Sequence, residues 1–280
     1  MAGTYGYEVD EDRAIATIRR VLDSGISALD TSNNYGEGRS ERRIGAALTQ
    51  AGGLPAGFRI SSKADPLPHS QNLSGQRVLD SFHETSGRLG VDALPLYYLH
   101  DPERFAFDDL TRPGGAVDAM IELKRRGCVA EIGVGGGDPA VLERYIGLGV
   151  FDVVLSHNRF TLLDRSAGPL IDRTVNAGMK FVNAAPFASG MLAKDAAQAP
   201  RYRYRVADAA TVQRTESLRA VCERHGVRLP AAAVQFSTRD SRISSTVVGV
   251  SAPERVDELI THARTTVPEE VWEELAAAAA

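Results

Sequence analysis

The sequence LPLYYLH, residues 94–100, is a short apolar run that closes on a histidine. A run of this length between helical patterns is typical of a buried β-strand. The helical pattern before it covers Val78–Leu89, and the one after it covers Val117–Arg126. We therefore predict a strand over Leu94–Leu99 with a helix on either side of it in the chain.

The same alternation of short apolar runs and longer amphipathic stretches continues along the chain. Further strands are predicted at Ser27–Asp30, Phe58–Ser62, Val129–Val134, Phe151–Leu155, Lys180–Asn183 and Ser245–Val250. Further helices are predicted at Ala14–Leu22, Ser40–Ala51, Pro139–Ile146, Pro169–Ala177, Ala209–His225, Pro230–Ser237 and Pro253–Ala263. Such alternation favours an α/β fold with a parallel sheet and right-handed crossovers. The 280 residues suit a (β/α)₈ TIM barrel, which typically takes about 250, so we expect one domain over residues 1–280.

The strand count falls one short of what such a barrel needs. The missing strand should precede the first helix, yet residues 1–10 contain no plausible strand. The sequence therefore predicts a barrel whose first strand is missing or truncated at the N-terminus, or one that is open between its first and last strands. The alanine run Ala276–Ala280 is expected to be a frayed end.

Composition and charge argue against several kinds of partner. The formal net charge is -4, so no basic field favours nucleic acid or an anionic membrane. The first residues lack a basic start and an apolar run, and no stretch reaches the roughly 18 apolar residues of a membrane span. Cys128 and Cys222 lie far apart without ligand spacing, which suits a reducing cytoplasm. We expect a cytoplasmic protein that binds a small molecule, with no nucleic acid, membrane or metal.

Three consecutive predicted strands end in reactive side chains. The first is followed by Asp30 and Tyr35, the second by Lys63, and the third by His100. In barrels of this kind the reactive groups lie at the C-terminal ends of the strands, so these side chains should share one rim. An acid, a phenol, an ammonium and an imidazole together suit proton transfer.

Each member of this group has a predicted role. Asp30 should pair with Lys63 and hold it in place. The ammonium of Lys63 should lower the pKa of Tyr35 from its usual value of about 10. His100 should hydrogen-bond the reacting oxygen and orient it. Taken alone, each residue also has a simpler interpretation: Asp30 could cap a turn, Tyr35 could pack in the core, and the other two could be ordinary surface and loop residues.

Three ordered motifs resemble the aldo-keto reductase family. They are DTSNNYGEGRSERRIG, ISSKADP and YYLHDPE, which begin at residues 30, 60 and 97. The family's four catalytic residues match Asp30, Tyr35, Lys63 and His100. The resemblance covers nearly the whole chain and implies a (β/α)₈ barrel that binds an extended nicotinamide cofactor without a Rossmann fold. It also implies hydride transfer, with Tyr35 as general acid in reduction and general base in oxidation.

The resemblance further implies positions that contact the cofactor. Gly135 and Gly136 replace a Ser-Asn pair that contacts the carboxamide in the family, so any contact there should come from the backbone; a plain flexible turn is the alternative. His157 replaces a glutamine, with Asn158 beside it. The other expected positions are Phe187, Ser189, Gly190 and Leu192 in the pyrophosphate loop, and Gly249, Ser251, Arg255 and Glu258 in the adenosine segment.

The choice between NAD and NADP depends on the charges of the adenosine segment. Arg255 matches an arginine that stacks on adenine or holds a 2′-phosphate, but the family's upstream lysine is Gly249 here. The loss of one cation weakens the case for NADP, so the cofactor is expected to be NAD or NADP, with NAD favoured. The pentamer RYRYR at residues 201–205 could contact nucleic acid, but a loop near the cofactor is the preferred interpretation.

Residues 156–192 most resemble the sugar 1-dehydrogenase branch of the family, which includes L-fucose (D-threo-aldose), L-galactose and pyridoxal 4-dehydrogenases. The branch implies oxidation of the anomeric hydroxyl of an aldose or similar cyclic hemiacetal to a lactone. NADPH-dependent reduction of aldehydes or ketones is the alternative. Two further alternatives are a cofactor-binding regulatory subunit and an inactive truncated relative. The protein is expected to be a monomer or a small homo-oligomer.

Overall fold

The computed structural model describes residues 10–67, 69–193, 201–202 and 205–278. The contacts between residues divide the chain into two compact units. The first unit contains Met1–Val154 and Val250–Val256, and the second contains Leu155–Gly249 and Asp257–Ala280.

The first unit alternates strands and helices. Its strands are β1 (Ala28–Asp30), β2 (Arg59–Ala64), β3 (Leu94–His100) and β4 (Val129–Gly136), and they pair in parallel in that order. Its helices are α1 (Glu11–Leu22), α2 (Arg39–Gln50), α3 (Gly75–Leu89), α4 (Phe107–Thr111), α5 (Ala116–Arg125) and α6 (Pro139–Ile146), with a 3₁₀ turn at Pro102–Arg104.

The second unit continues the same alternation. Its sheet contains β5 (Val153–His157), which begins two residues before the unit boundary, then β6 (Lys180–Ala184) and β9 (Ile243–Val247), with β6 and β9 parallel neighbours. An antiparallel pair is formed by β7 (Arg201–Tyr202) and β8 (Arg205–Val206). The helices are α7 (Gly168–Asn176), α8 (Ala209–Arg224), α9 (Leu229–Thr238), α10 (Pro253–Arg264), which starts in the first unit, and α11 (Glu269–Ala278), with a 3₁₀ turn at Ala188–Gly190.

Local sequence signals explain where the helices of the first unit begin and end. The carboxylate of Asp10 accepts the backbone N–H of Arg13 at 2.8 Å and caps α1. The hydroxyl of Ser74 caps α3 in the same way. Such caps satisfy backbone donors that have no partner inside the helix. The left-handed backbone of Gly90, with φ of 70°, ends α3.

Strand β3 is buried on both faces. Tyr97, Tyr98 and Leu99 are each at most 1% exposed. The hydroxyl of Tyr97 donates to Ser81 of α3 at 3.0 Å, so this buried polar atom is satisfied. A strand that is covered on both faces needs apolar side chains on both. This explains why the sequence of β3 is apolar up to His100, where the strand ends.

The structure confirms the order of the predicted strands and helices and moves some of their bounds. It adds α4, α11 and the β7–β8 pair, which were not predicted. Strand β4 extends to Gly136, beyond the predicted end at Val134. Gly135 and Gly136 are therefore buried strand residues, and the alternative of a flexible turn is wrong. The reason is pairing with β3, where the N–H of Asp101 donates to the carbonyl of Gly135 at 2.7 Å.

The chain ends differently from the expectation. The alanine run was expected to be frayed, but its residues up to Ala278 belong to α11. Val271 and Leu275 of this helix are at most 1% exposed in the apolar core of the second unit. Burial of these two side chains stabilises the helix, and the alanine run alone does not predict it. Tyr202 packs against the same core, which does not suit a base-stacking role.

Two expectations are not decided by these elements. The strand predicted to be missing would fall on residues 1–9, which lie outside the described residues. The expectation of a single domain over residues 1–280 stays a prediction. Among the described residues, no helix combines the length and apolar character needed to cross a membrane.

Candidate active site

The first two strands end in a buried ion pair. The ammonium of Lys63 lies 2.5 Å from one carboxylate oxygen of Asp30 and also donates to the carbonyl of Thr31 at 2.6 Å. The other carboxylate oxygen accepts the hydroxyl of Ser61 at 2.6 Å. The side chain of Lys63 is 2% exposed and that of Asp30 is 10% exposed. The predicted pairing of these two residues is therefore present in the structure.

Tyr35 lies in the loop after β1, which backbone contacts hold in place. The N–H of Asn33 donates to the carbonyl of Lys63 at 3.3 Å, and the N–H of Ser40 donates to the carbonyl of Tyr35 at 3.2 Å. The guanidinium of Arg88 donates to the carbonyl of Asn33 at 3.0 Å. The position of Tyr35 is thus fixed from β2, α2 and α3 together.

The four residues predicted to be catalytic come together in the first unit. The ammonium of Lys63 lies 5.0 Å from the centroid of the Tyr35 ring. The rings of Tyr35 and His100 meet edge to face, with centroids 5.8 Å apart. With Asp30 bonded to Lys63, the acid, phenol, ammonium and imidazole form one cluster.

The electrostatics of Tyr35 correct the sequence expectation. Lys63 does lower the pKa of Tyr35, as predicted. Burial and the carboxylates of Asp30, Asp65 and Asp101 outweigh it and raise the pKa of Tyr35 to about 12. The expectation considered one cation, but three buried or partly buried anions act on the same phenol. Tyr35 is therefore a neutral phenol near neutral pH.

Lys63 remains charged despite its burial. Desolvation lowers the pKa of Lys63, but the Asp30 carboxylate and the Tyr35 oxygen raise it by more. The net pKa is above the usual value for lysine. The ammonium is thus a permanent positive charge beside the phenol.

His100 has a partner that sequence reasoning missed. Its Nδ1 lies 2.7 Å from Oδ1 of Asp65, a carboxylate with 3% of its side chain exposed. Ser32 donates its hydroxyl to Oδ2 of Asp65, and the Ser32 oxygen lies 3.1 Å from the same Nδ1. The available signal was the place of Asp65, two residues after Lys63 at the end of β2. Alone, an acid at that place is also common in turns.

A second missed residue lies beside the glycines of β4. Glu103 accepts the N–H of Gly137 at 2.6 Å through Oε1. A Cβ added to Gly136 would overlap the Glu103 carboxylate, so the glycine makes room for it. Oε2 of Glu103 is buried and has no hydrogen-bond partner among the described residues. The structure thus adds an acidic side chain at a place where only backbone contacts were expected.

The second unit groups three of the positions expected to contact a cofactor. Asn158 lies 3.2 Å from Nδ1 of His157 through its amide nitrogen. The hydroxyl of Ser189 lies 3.5 Å from the Asn158 side-chain oxygen. Ser189 and Gly190 both have positive φ, at 59° and 98°. Left-handed backbone at a non-glycine residue is strained and tends to occur where a loop binds something.

The remaining expected positions differ in their surroundings. Phe187 is partly buried against the core of the second unit, and Leu192 is 0% exposed, so Leu192 has no surface open to a ligand in this structure. The positions of the adenosine segment are all exposed: Gly249, Ser251, Arg255 and Glu258.

Comparisons with known proteins agree with this fold and cluster. The family model described as the aldo/keto reductase family matches residues 1–280. The chain is 31% identical over 294 residues to a D-threo-aldose 1-dehydrogenase of Pseudomonas sp, covering 96% of this chain and 89% of that protein. It is 29% identical to a pyridoxal 4-dehydrogenase of Microbacterium luteolum, over 97% of this chain and 89% of that protein. It is 28% identical to an L-galactose dehydrogenase of Arabidopsis thaliana, over 89% and 77%.

A solved structure shows the same fold. The holo form of an aldo-keto reductase from Bacillus halodurans superposes with a TM-score of 0.80 at 20% identity, covering 98% of this chain and 90% of that one. The predicted (β/α)₈ fold class is thereby confirmed.

The chain belongs to the aldo/keto reductase family. It is an NAD(P)-dependent oxidoreductase. The three relatives named above belong to the sugar 1-dehydrogenase branch that its sequence resembles.

Proposed function

We propose that this protein oxidises the anomeric hydroxyl of an aldose or a similar cyclic hemiacetal to a lactone, with Asp30, Tyr35, Lys63 and His100 as its catalytic group. The observation that carries the proposal is the buried cluster in which the Asp30–Lys63 pair, the Tyr35 phenol and the His100 imidazole meet. The substrate class is supported by similarity to relatives named as aldose, pyridoxal and L-galactose dehydrogenases.

Each member of the cluster has a role that its surroundings support. The ammonium of Lys63 stabilises negative charge as it develops on the phenol oxygen of Tyr35 during proton exchange. Asp30 holds that ammonium in position through the 2.5 Å contact. His100, packed edge to face on Tyr35, hydrogen-bonds the same substrate oxygen. The anomeric hydroxyl gives up its proton at this cluster, and a bound nicotinamide would supply the acceptor for the hydride of its carbon.

The residues present fit a nicotinamide cofactor. When bound, the cofactor supplies the hydride acceptor or donor. In the first unit, Oε2 of Glu103 is buried without a partner among the described residues and would accept an amide N–H. In the second unit, Asn158 and Ser189 supply neighbouring polar side chains, and the loop at Ser189 and Gly190 supplies a left-handed backbone suited to phosphate oxygens.

We favour NAD over NADP. Gly249 is exposed and offers no cation, which leaves Arg255 as the residue of the adenosine segment that would meet an added phosphate. A 2′-phosphate is usually held by more than one charged hydrogen bond.

Reduction of an aldehyde or ketone by NADPH is the second candidate. The observation that favours it is the pKa of Tyr35, which is raised to about 12. A neutral phenol beside an ammonium is ready to donate a proton to a carbonyl oxygen, but it is a weak base for oxidation.

The test is a matrix of assays followed by absorbance of the reduced nicotinamide. The full chain is mixed with NAD⁺ or NADP⁺ and with a D-threo-aldose, L-galactose or pyridoxal, and in the reverse direction with NADPH and simple aldehydes. Oxidation of a sugar that is lost in Tyr35→Phe supports the proposal. Activity only in the reverse direction selects the reductase. Cofactor binding without turnover in either direction overturns both and favours a regulatory subunit.

A further inference from the structure

Asp65 is a buried carboxylate that has no role in the proposed catalytic group. It follows β2 and lies 2.7 Å from His100 although 35 positions separate them in the chain. Its carboxylate is almost fully buried. Burying a carboxylate is costly unless it is hydrogen-bonded and paired, so a carboxylate at this place needs partners that hold its charge.

Hydrogen bonds to Asp65 determine which atom of His100 carries a proton. Oδ2 accepts the hydroxyl of Ser32 and the backbone N–H of Asn34, the latter at 3.1 Å. These two donors keep the carboxylate ionised, and an ionised carboxylate only accepts. Nδ1 of His100, at 2.7 Å from Oδ1, must therefore be the donor.

The other ring nitrogen is left to titrate. Nε2 of His100 lies 3.6 Å from Oδ1 of Asp101, which is longer than a hydrogen bond. The same ring packs against Tyr35. Since Nδ1 is held by Asp65, Nε2 is the nitrogen that can take up or release a proton beside the phenol.

The backbone of Asp65 is fixed as firmly as its side chain. Its N–H donates to the hydroxyl oxygen of Ser81 at 3.2 Å, and its carbonyl accepts Nε of Arg77 at 2.9 Å. Both partners belong to α3. The carboxylate is thus held by a helix rather than by a mobile turn, which a positioning role requires.

We propose that Asp65 is a positioning residue that fixes His100 with Nδ1 protonated, so that Nε2 is the nitrogen that hydrogen-bonds the substrate's hydroxyl oxygen beside the Tyr35 phenol. The proposal rests on the proposed function only for the substrate; the protonation pattern of His100 is a property of the protein alone. It resembles the way a buried aspartate orients the imidazole of a hydrolase triad.

The charges around His100 agree with this arrangement. Burial lowers the pKa of His100, but the carboxylates of Asp65 and Asp101 raise it by more, against a smaller lowering by Lys63. Burial raises the pKa of Asp65, but His100, Ser32 and Asn34 lower it below its usual value. The Tyr35 phenol, neutral near pH 7, completes the set of titratable groups that face the imidazole.

The first measurement is nitrogen-15 NMR of the histidine side chains in the full chain. The signals of His100 are identified by their loss in His100→Asn. In the parent, we expect Nδ1 to stay protonated across the titration while Nε2 titrates. In Asp65→Asn we expect the titration midpoint to fall, and in Asp65→Ala we expect mixed tautomers as well. An unchanged midpoint and tautomer in both variants overturns the proposal.

Glu41→Gln is the matched control. Glu41 is a fully buried carboxylate of the same unit that accepts from Ser62 at 2.7 Å, from Thr85 at 2.8 Å and from Arg88 at 3.0 Å, without contacting His100. We expect it to lower the melting temperature and leave the His100 titration unchanged. Equal shifts in Glu41→Gln and Asp65→Asn would show a general effect of buried charge and would reject a specific role for Asp65.

The second measurement uses whichever substrate is turned over. In Asp65→Asn we expect kcat to fall by at least about tenfold and the limb of its pH profile to move as the His100 midpoint moves, with the KM for cofactor unchanged. An unmoved pH profile in a folded variant overturns the catalytic part of the proposal. If no substrate is turned over at all, the proposed function fails, while the NMR result still decides the protonation pattern.

Discussion

Two buried ion pairs lie at the ends of neighbouring strands, and they differ in what they leave available. In the Lys63–Asp30 pair the ammonium bonds the carboxylate and a backbone carbonyl, and both carboxylate oxygens are occupied. In the His100–Asp65 pair the carboxylate occupies only one of the two ring nitrogens. The first pair is a fixed charge, and the second can exchange a proton.

The difference shows how one rim can hold several charges and still transfer protons. Lys63 keeps its charge because its partner raises its pKa beyond reach of ordinary pH. The pKa of His100 is also raised, but it is raised from an imidazole's usual value of about 6.5 and not from an ammonium's usual value of about 10.4. A residue's usual pKa thus decides whether pairing produces a permanent charge or an acid–base group.

The largest effect is expected from removing the fixed charge. Lys63→Met should destabilise the protein by about 3–5 kcal/mol, because Asp30 is left buried without its cation. Urea unfolding followed by circular dichroism measures the free energy. The control is Lys124→Met, whose ammonium pairs with Asp152 at 2.6 Å but is 39% exposed; it should cost about 1 kcal/mol or less. Equal losses would mean that burial does not distinguish the pairs.

Tyr35, which lies against both Lys63 and His100, should be needed for turnover but not for cofactor binding. Tyr35→Phe should lower turnover by roughly 100-fold or more, since the proton-exchanging oxygen is gone. The change is read from reduced-nicotinamide absorbance, with cofactor affinity from quenching of protein fluorescence. Tyr98→Phe removes another buried phenol, whose ring centroid lies 5.9 Å from Nζ of Lys63, and should keep its turnover. Equal turnover in parent and Tyr35→Phe contradicts the assignment.

The carboxylate of Glu103 sharpens the comparison, because it pairs with the backbone N–H of Gly137 and not with a cation. Gly136→Ala should destabilise by about 0.5–1.5 kcal/mol, since the added methyl group displaces the flexible end of Glu103 and with it the hydrogen bond from the Gly137 N–H. Thermal unfolding of Gly136→Ala, Glu103→Ala and the double variant forms a cycle. The double variant should recover part of the loss. Strict additivity would show that the two residues do not touch.

The smallest effect is the pH dependence of stability due to the exchangeable pair. The raised pKa of His100 contributes stability below its unfolded value of about 6.5, and this is lost as the pH rises through the folded value. The lowered pKa of Asp65 contributes above about 3.9 and is lost as the pH falls through its folded value. The parent should therefore exceed Asp65→Asn most between about pH 4 and 6.5, by on the order of 1 kcal/mol.

Urea unfolding at a series of pH values measures that difference. His225→Gln is the control, because it removes another histidine–carboxylate contact, that of His225 with Glu274 at 2.8 Å, which is partly exposed and lies in the second unit. A difference between parent and Asp65→Asn that stays constant from pH 4 to 9 would contradict the pairing.

The amino-acid sequence by itself determined the alternating elements and the four clustered groups. Short apolar runs end at or next to Asp30, Lys63 and His100. The same few residues therefore predict both the strands and the reactive groups at their ends. Caps such as Ser74 and stops such as Gly90 are equally local. The charge pattern of the adenosine segment gave only a preference between cofactors.

Only the tertiary structure decided the partners and the sign of the electrostatics. The contact of Asp65 with His100, and that of Glu103 with Gly136, join residues from different strand ends, and no local pattern reports such a distance. The pKa of Tyr35 was predicted to fall because one cation was visible in the motif, yet it rises. Its value is a sum over burial and every nearby charge in three dimensions, and those distances exist only once the chain has folded.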